Sequence, residues 1–131
     1  MARLVVLDAS VVIAFRDPAD ALHQRAVTAL QAHAADELVL PASAYAEILV
    51  GPLRHGPAAV DALDRFLGDL AVRIEPLTPT IARRAAVLRA GTRAVRLPDA
   101  LVLATADALD ASAVLTGVAA WPALSARAHL I

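Results

Sequence analysis

The sequence predicts an α/β domain: one mainly parallel sheet with helices on both faces. Three observations lead there. Leu4-Val5-Val6-Leu7 is an unbroken aliphatic run that stops at Asp8, the pattern of a strand buried on both faces, as in parallel sheets. Short Val/Leu-rich runs then alternate with Ala-rich segments of helical character along the chain, the order of βαβ units. The stretch from Leu97 to Ala106 is apolar on all faces of a helix apart from Asp99, so that helix should be an internal element.

The totals set bounds. The 131 residues fit one domain, 1–131, and a composition of 59% hydrophobic with 3% aromatic residues demands an aliphatic, Ala-rich core. The chain contains no cysteine, which excludes disulfides, thiolate zinc sites and cysteine nucleophiles. All twelve basic residues are Arg, so P-loop, Schiff-base and Ser-Lys chemistries, each needing a lysine, are excluded. No stretch of 18 apolar residues is present and the start is too short for a signal-peptide core, so no membrane span and a cytoplasmic location are expected. The net charge of -1 does not advertise a nucleic-acid binder. The distribution says more: Arg83, Arg84, Arg89, Arg93 and Arg96 fall between Glu75 and Asp99 with no acid between. That run is either a solvated helix face or a surface for phosphates.

In order, Leu4–Leu7 is the first strand and Asp8 stands at its carboxyl end. Ser10 is a candidate N-cap for a helix that Asp17-Pro18 breaks. Leu22, Ala26 and Leu30 mark the buried stripe of a second helix, with His23 and His33 read as solvated. Glu37–Pro41 is a second strand. Ser43 can cap a helix over 44–50, which Gly51-Pro52 should stop. Glu47 is the one acid among its Ala, Tyr, Ile, Leu and Val neighbours. Pro57 opens a helix with Val60, Leu63, Leu67 and Leu70 inward. Ala71–Glu75 is a third strand, and Thr78-Pro79 caps and starts a helix closed by Gly91. Pro98 sets the first turn of the apolar helix, and Asp99 follows within it, where an acid suits the helix dipole. Ala113–Gly117 is a fourth strand with its exit turn, Trp121-Pro122 a loop, and Ala128–Ile131 a last short strand.

Asp8 and Asp99 each sit beside an element expected to end near one edge of the sheet, and Glu47 follows a strand. Each is alternatively a capping, turn or solvent-facing acid. Together in a cleft they would repel, and a divalent cation would relieve the repulsion. Oxygen-only ligands favour Mg²⁺ or Mn²⁺ over zinc, and such an ion can activate water for attack on a phosphodiester. Discounting three metal-bound acids would also turn the formal charge positive, leaving a basic edge led by Arg89, Arg93 and Arg96 for an RNA backbone.

The motifs Val5-Val6-Leu7-Asp8-Ala9-Ser10, Ser43 to Leu49, Leu97 to Ala106, and Val114-Leu115-Thr116-Gly117 with Trp121 occur in an order and at intervals that resemble PIN-domain ribonucleases of the VapC toxin type. The resemblance covers nearly the whole length. It implies an α/β/α sandwich with a sheet of four to five strands and Mg²⁺- or Mn²⁺-dependent endoribonuclease activity on structured RNA of the tRNA or rRNA class. It also implies inhibition by a VapB-like antitoxin and homodimers. Asp8, Glu47 and Asp99 match three acids of that family's site, both catalytic and metal-binding. Ser10 matches the small hydroxyl residue after the first, and Thr116 the Thr before the fourth acid. Relatives usually carry Asp two residues after that Thr; here the position is Val118. Asp107 and Asp110 cannot replace it, lying about 12–16 Å along the helix from Asp99. One metal, held by Asp8 and Asp99 with Glu47 direct or through water, is therefore the expectation.

Two other readings compete. A haloacid-dehalogenase-type phosphatase also begins with a strand ending in Asp, but needs a second Asp where Ser10 stands and a Lys. A degenerate PIN domain that binds RNA or an antitoxin without cutting is supported by Val118.

Overall fold

The structure, a computed structural model, describes residues 2–131. Its elements are β1 (Leu4–Leu7), α1 (Ala9–Arg16), α2 (His23–Ala32), β2 (Glu37–Pro41), α3 (Ala42–Leu53), α4 (Pro57–Asp69), β3 (Arg73–Glu75), α5 (Pro79–Gly91), α6 (Leu97–Ala108), β4 (Ala113–Thr116), a 3₁₀ turn (Trp121–Ala123) and β5 (Ala128–Leu130). The five strands form one sheet of order β3-β2-β1-β4-β5, every pair parallel.

That order follows from the residues. Val5, Val6 and Leu7 are all buried. Successive side chains of a strand point to opposite faces, so β1 is covered on both sides and must be central. The edge strands are short and more exposed: β3 buries none of its residues fully, and β5 buries only Ala128. Helix α6 packs against β1, β2 and β4 and buries Ala100 and the whole run Val102 to Ala106, as its all-round apolar sequence requires. Thr105 is tolerated inside because its Oγ1 donates to the Leu101 carbonyl oxygen (2.7 Å).

The order also fixes where ligands go. The chain leaves β1 toward β2 on one side, whereas it leaves β4 toward β5 on the other. Between the carboxyl ends of β1 and β4 lies the switch point of the topology, where open α/β sheets form a crevice.

Local chemistry differs from the expectations at several points. Asp8, not Ser10, is the N-cap residue of α1, with extended backbone (φ -78, ψ 153), while Ser10 lies one residue inside the helix. Pro41 rather than Ser43 stands before α3, because β2 passes straight into that helix. Gly51-Pro52 does not stop α3, which runs to Leu53. Pro52 falls in the last turn, and the end tightens through i→i−3 bonds from the Arg54 and His55 amides to the Gly51 and Pro52 carbonyls. Neither helix histidine is simply solvated: His23 Nδ1 lies 2.9 Å from the Ala14 carbonyl oxygen and His33 Nδ1 2.7 Å from Asp36 Oδ2. The Trp121 loop is a 3₁₀ turn with the indole 1% exposed, so this residue is core. Thr78 caps α5 as expected, its Oγ1 accepting from the Ile81 amide.

Two substitutions probe this framework by urea denaturation. Leu7→Ala, in the most enclosed strand, is expected to cost about 2–5 kcal/mol through a cavity that cannot collapse. Thr78→Ala, which removes only the α5 cap, is expected to cost about 1 kcal/mol.

Candidate active site

Asp8 leaves β1 at the switch point. Its amide donates to the Leu115 carbonyl oxygen of β4 (3.0 Å), extending the β1–β4 register in which Leu7 pairs with Leu115. The side chain is 7% exposed. Two hydroxyls converge on one of its oxygens: Ser10 Oγ donates to Oδ2 at 2.6 Å and Thr116 Oγ1 at 3.1 Å. Neither reaches Oδ1.

The two hydroxyls are themselves fixed. Ser10 Oγ accepts from the Gly117 amide (2.9 Å), and Thr116 Oγ1 accepts from the Val118 amide (3.0 Å). A hydroxyl has a single proton. With their lone pairs turned to backbone amides, both Ser10 and Thr116 direct that proton at Asp8. Oδ2 is thereby an acceptor twice over, an arrangement that favours the carboxylate. Burial works the other way and is the larger effect. Desolvation raises the Asp8 pKa above the ordinary value of 3.8, against the hydrogen bonds from Ser10, Thr116 and the Ala9 amide; the charge of Asp99 adds to the rise. Gly117 packs closely here, against the Leu22 side chain and Ser10. A Cβ there would come within 2.7 Å of Leu22 Cδ1 and 3.4 Å of Ser10 Oγ.

Glu47 lies on α3, which starts directly after β2, and its side chain is exposed. It borders a cleft of about 430 Å³ between α1 and α3. Its pKa is raised, first by partial desolvation and then by the charges of Asp8 and Asp99, while Arg96 opposes the rise. Asp99 sits in the first turn of α6, with its Oδ2 3.9 Å from Arg96 Nε. The structure thus brings Asp8, Glu47 and Asp99 within electrostatic reach of one another. It does not close them on a point: among the described residues, no three acidic or histidine side chains stand at metal-cage spacing. In donor chemistry the set fits a hard divalent cation, being all oxygen, with one acid immobilised and two on the adjacent helices α3 and α6.

The remaining candidates separate. Asp107 and Asp110 both pair with Arg127 at 3.0 Å at the far end of α6, outside the site. Arg83 and Arg84 line a larger cleft of about 730 Å³ at that same end, between α5, α6 and residues 124–127. Its volume is greater, but it lacks converging acids. Arg89 lies in the last turn of α5 and Arg93 in the loop to α6, both exposed. Val118 is 37% exposed, and its contribution is its amide. The Gly117 and Val118 amides are the working groups that side-chain motifs do not show. The Thr-Gly pair after a buried strand is the signal that finds them.

The PIN domain family profile matches residues 5–117. No curated protein sequence matches significantly. Among solved structures, a toxin–antitoxin complex from Klebsiella pneumoniae is 22% identical with a TM-score of 0.75, covering 97% of this chain and 99% of that chain. VapC20 of Mycobacterium tuberculosis, titled a sarcin–ricin loop cleaving toxin, is 19% identical with a TM-score of 0.68, covering 84% and 86%. FitAcB of Neisseria gonorrhoeae is 20% identical with a TM-score of 0.75, covering 97% and 96%.

The raised acids carry a sign. A carboxyl whose folded pKa exceeds its unfolded one contributes stability below the unfolded value, and that contribution is lost as pH rises through the folded value. For Asp8 and Glu47 the loss begins near their ordinary values of 3.8 and 4.5 and runs upward. In EDTA, Asp8→Asn is therefore expected to be more stable than wild type at pH 7, by a few °C in Tm. The gap should shrink as the pH falls toward 4. Thermal melts across that range check it.

Proposed function

The chain belongs to the PIN-domain family, and on that premise we propose that it is a toxin-type endoribonuclease that hydrolyses RNA phosphodiesters at the Asp8–Glu47–Asp99 centre. The observation that carries this reading is Asp8 itself. A buried carboxylate held by two oriented hydroxyls at the switch point is costly to the fold. Acids perturbed by burial and by one another in a cleft mark functional sites. Support for the toxin class comes from the fold shared with the Klebsiella toxin–antitoxin complex and with VapC20.

Asp8, Asp99 and Glu47, the last directly or through water, are the residues that would hold Mg²⁺ or Mn²⁺. When bound, the cation activates water and neutralises charge on the phosphate in the transition state. Ser10 and Thr116 keep the Asp8 carboxylate in one orientation. With valine at position 118, this centre has three acids, and it is suited to one cation. Arg89, Arg93 and Arg96 are exposed, lead in sequence to Asp99 and would hold the RNA backbone. The partners proposed are a structured RNA of the tRNA or rRNA class and a VapB-like antitoxin, with a homodimer as the assembly. Among the described residues no helix is long and apolar enough to cross a membrane, consistent with a proposed cytoplasmic location. Val118 favours one second reading, a PIN domain that binds RNA or antitoxin without cutting.

Incubation of total RNA with Mn²⁺ or Mg²⁺ tests the proposal. Wild type is expected to cleave, and Asp8→Asn to lose at least about 100-fold, the scale of an electrostatic contact made in the transition state. Silence from wild type with cleavage gained in Val118→Asp would mean an inactivated PIN domain, whose function would then have to be sought in binding. Separately, Arg93→Ala should weaken RNA binding and reduce the slope of log K against log salt by about 0.7–0.9. An unchanged slope would remove Arg93 from the RNA surface.

A further inference from the structure

Arg96 is the one cation that bears on the acidic centre among the groups acting on Asp8 and Glu47. It is the N-cap residue of α6, and Asp99 lies one turn on. The pairing is loose. Nε is 3.9 Å from Asp99 Oδ2, beyond hydrogen-bond range, and the Arg96 side chain is 80% exposed against 26% for Asp99. Its side chain makes no cap hydrogen bond to the helix, so nothing structural fastens the guanidinium there except the charge of the acids.

We propose that Arg96 is a built-in counter-cation of the centre, occupying the field of Asp99 and Glu47 and competing with a divalent cation for it. This rests on the reading of those acids as metal ligands. The charges support a single ion. Three carboxylates and one guanidinium leave two negative charges, which one divalent cation neutralises. A second divalent cation would enter a neutral site next to a guanidinium. Val118 supplies no fourth carboxylate. On cation binding Arg96 is repelled from the acids, and its long, exposed side chain is released toward the solvent edge where a phosphate would lie.

Titration calorimetry with Mn²⁺ alone, on the full chain, tests this. Arg96→Gln is expected to tighten Mn²⁺ binding about three- to tenfold, the effect of removing one charge at a partly screened distance from a dication. Arg96→Lys keeps the charge and should bind like wild type. Arg84→Gln, an equal loss of net charge at the far end of α6, should also bind like wild type. In EDTA, Arg96→Gln should melt about 1–4 °C below Arg84→Gln, because the acids lose their partial neutralisation. Unchanged Mn²⁺ affinity in Arg96→Gln overturns the inference while leaving the metal reading intact. An equal gain in Arg84→Gln also overturns it, by reducing the effect to net charge. Absence of Mn²⁺ binding in wild type overturns the metal reading, and this inference with it.

Discussion

The buried carboxylate of Asp8 is the constraint on which the rest of the structure depends. A charge taken out of water at the end of a central strand must be met by hydrogen-bond donors. The chain meets it from two directions. Ser10 comes from the first turn of α1, and Thr116 from the last residue of β4, more than a hundred positions away in sequence. Each hydroxyl is oriented by an amide of the turn that follows β4. The parallel pairing of β1 with β4 is therefore also what supplies the site. A slip in that register would separate Asp8 from Thr116 and Ser10 from the Gly117 amide that orients it.

This arrangement costs the fold stability. The core is aliphatic and tightly enclosed around β1, yet the strand ends in a charge that desolvation opposes. Glu47 and Asp99 add repulsion, eased by the exposed Arg96. Val118 adds no charge to this centre, while its amide keeps Thr116 in place.

Most of the framework was legible in the residues. The Leu4–Leu7 run, the all-round apolar α6 and the Thr78-Pro79 start were enough to give the parallel sheet, and Asp8 marked the carboxyl end of its first strand. Local capping was less legible. Ser10 reads as an N-cap because hydroxyls are good caps, but Asp8 takes that position and Ser10 serves Asp8 instead. The Gly51-Pro52 pair reads as a stop because an isolated helix would end there; in the folded chain Pro52 sits in a final turn and is accommodated. That Asp8, Glu47 and Asp99 come within electrostatic reach of one another could not be read from spacing, because strand order decides which ends meet. The backbone amides of Gly117 and Val118 carry no sequence signal beyond the Thr-Gly turn itself.

The most direct measurement is a crystal structure grown in Mn²⁺, with anomalous differences recorded at the manganese edge. The account predicts one strong peak at coordination distance, about 2.0–2.3 Å, from the Asp8 carboxylate through Oδ1, with Asp99 as a further ligand. The Ser10 and Thr116 hydroxyls should still be on Oδ2. A peak elsewhere on the surface with none at Asp8, or two peaks of equal strength in the centre, would contradict it.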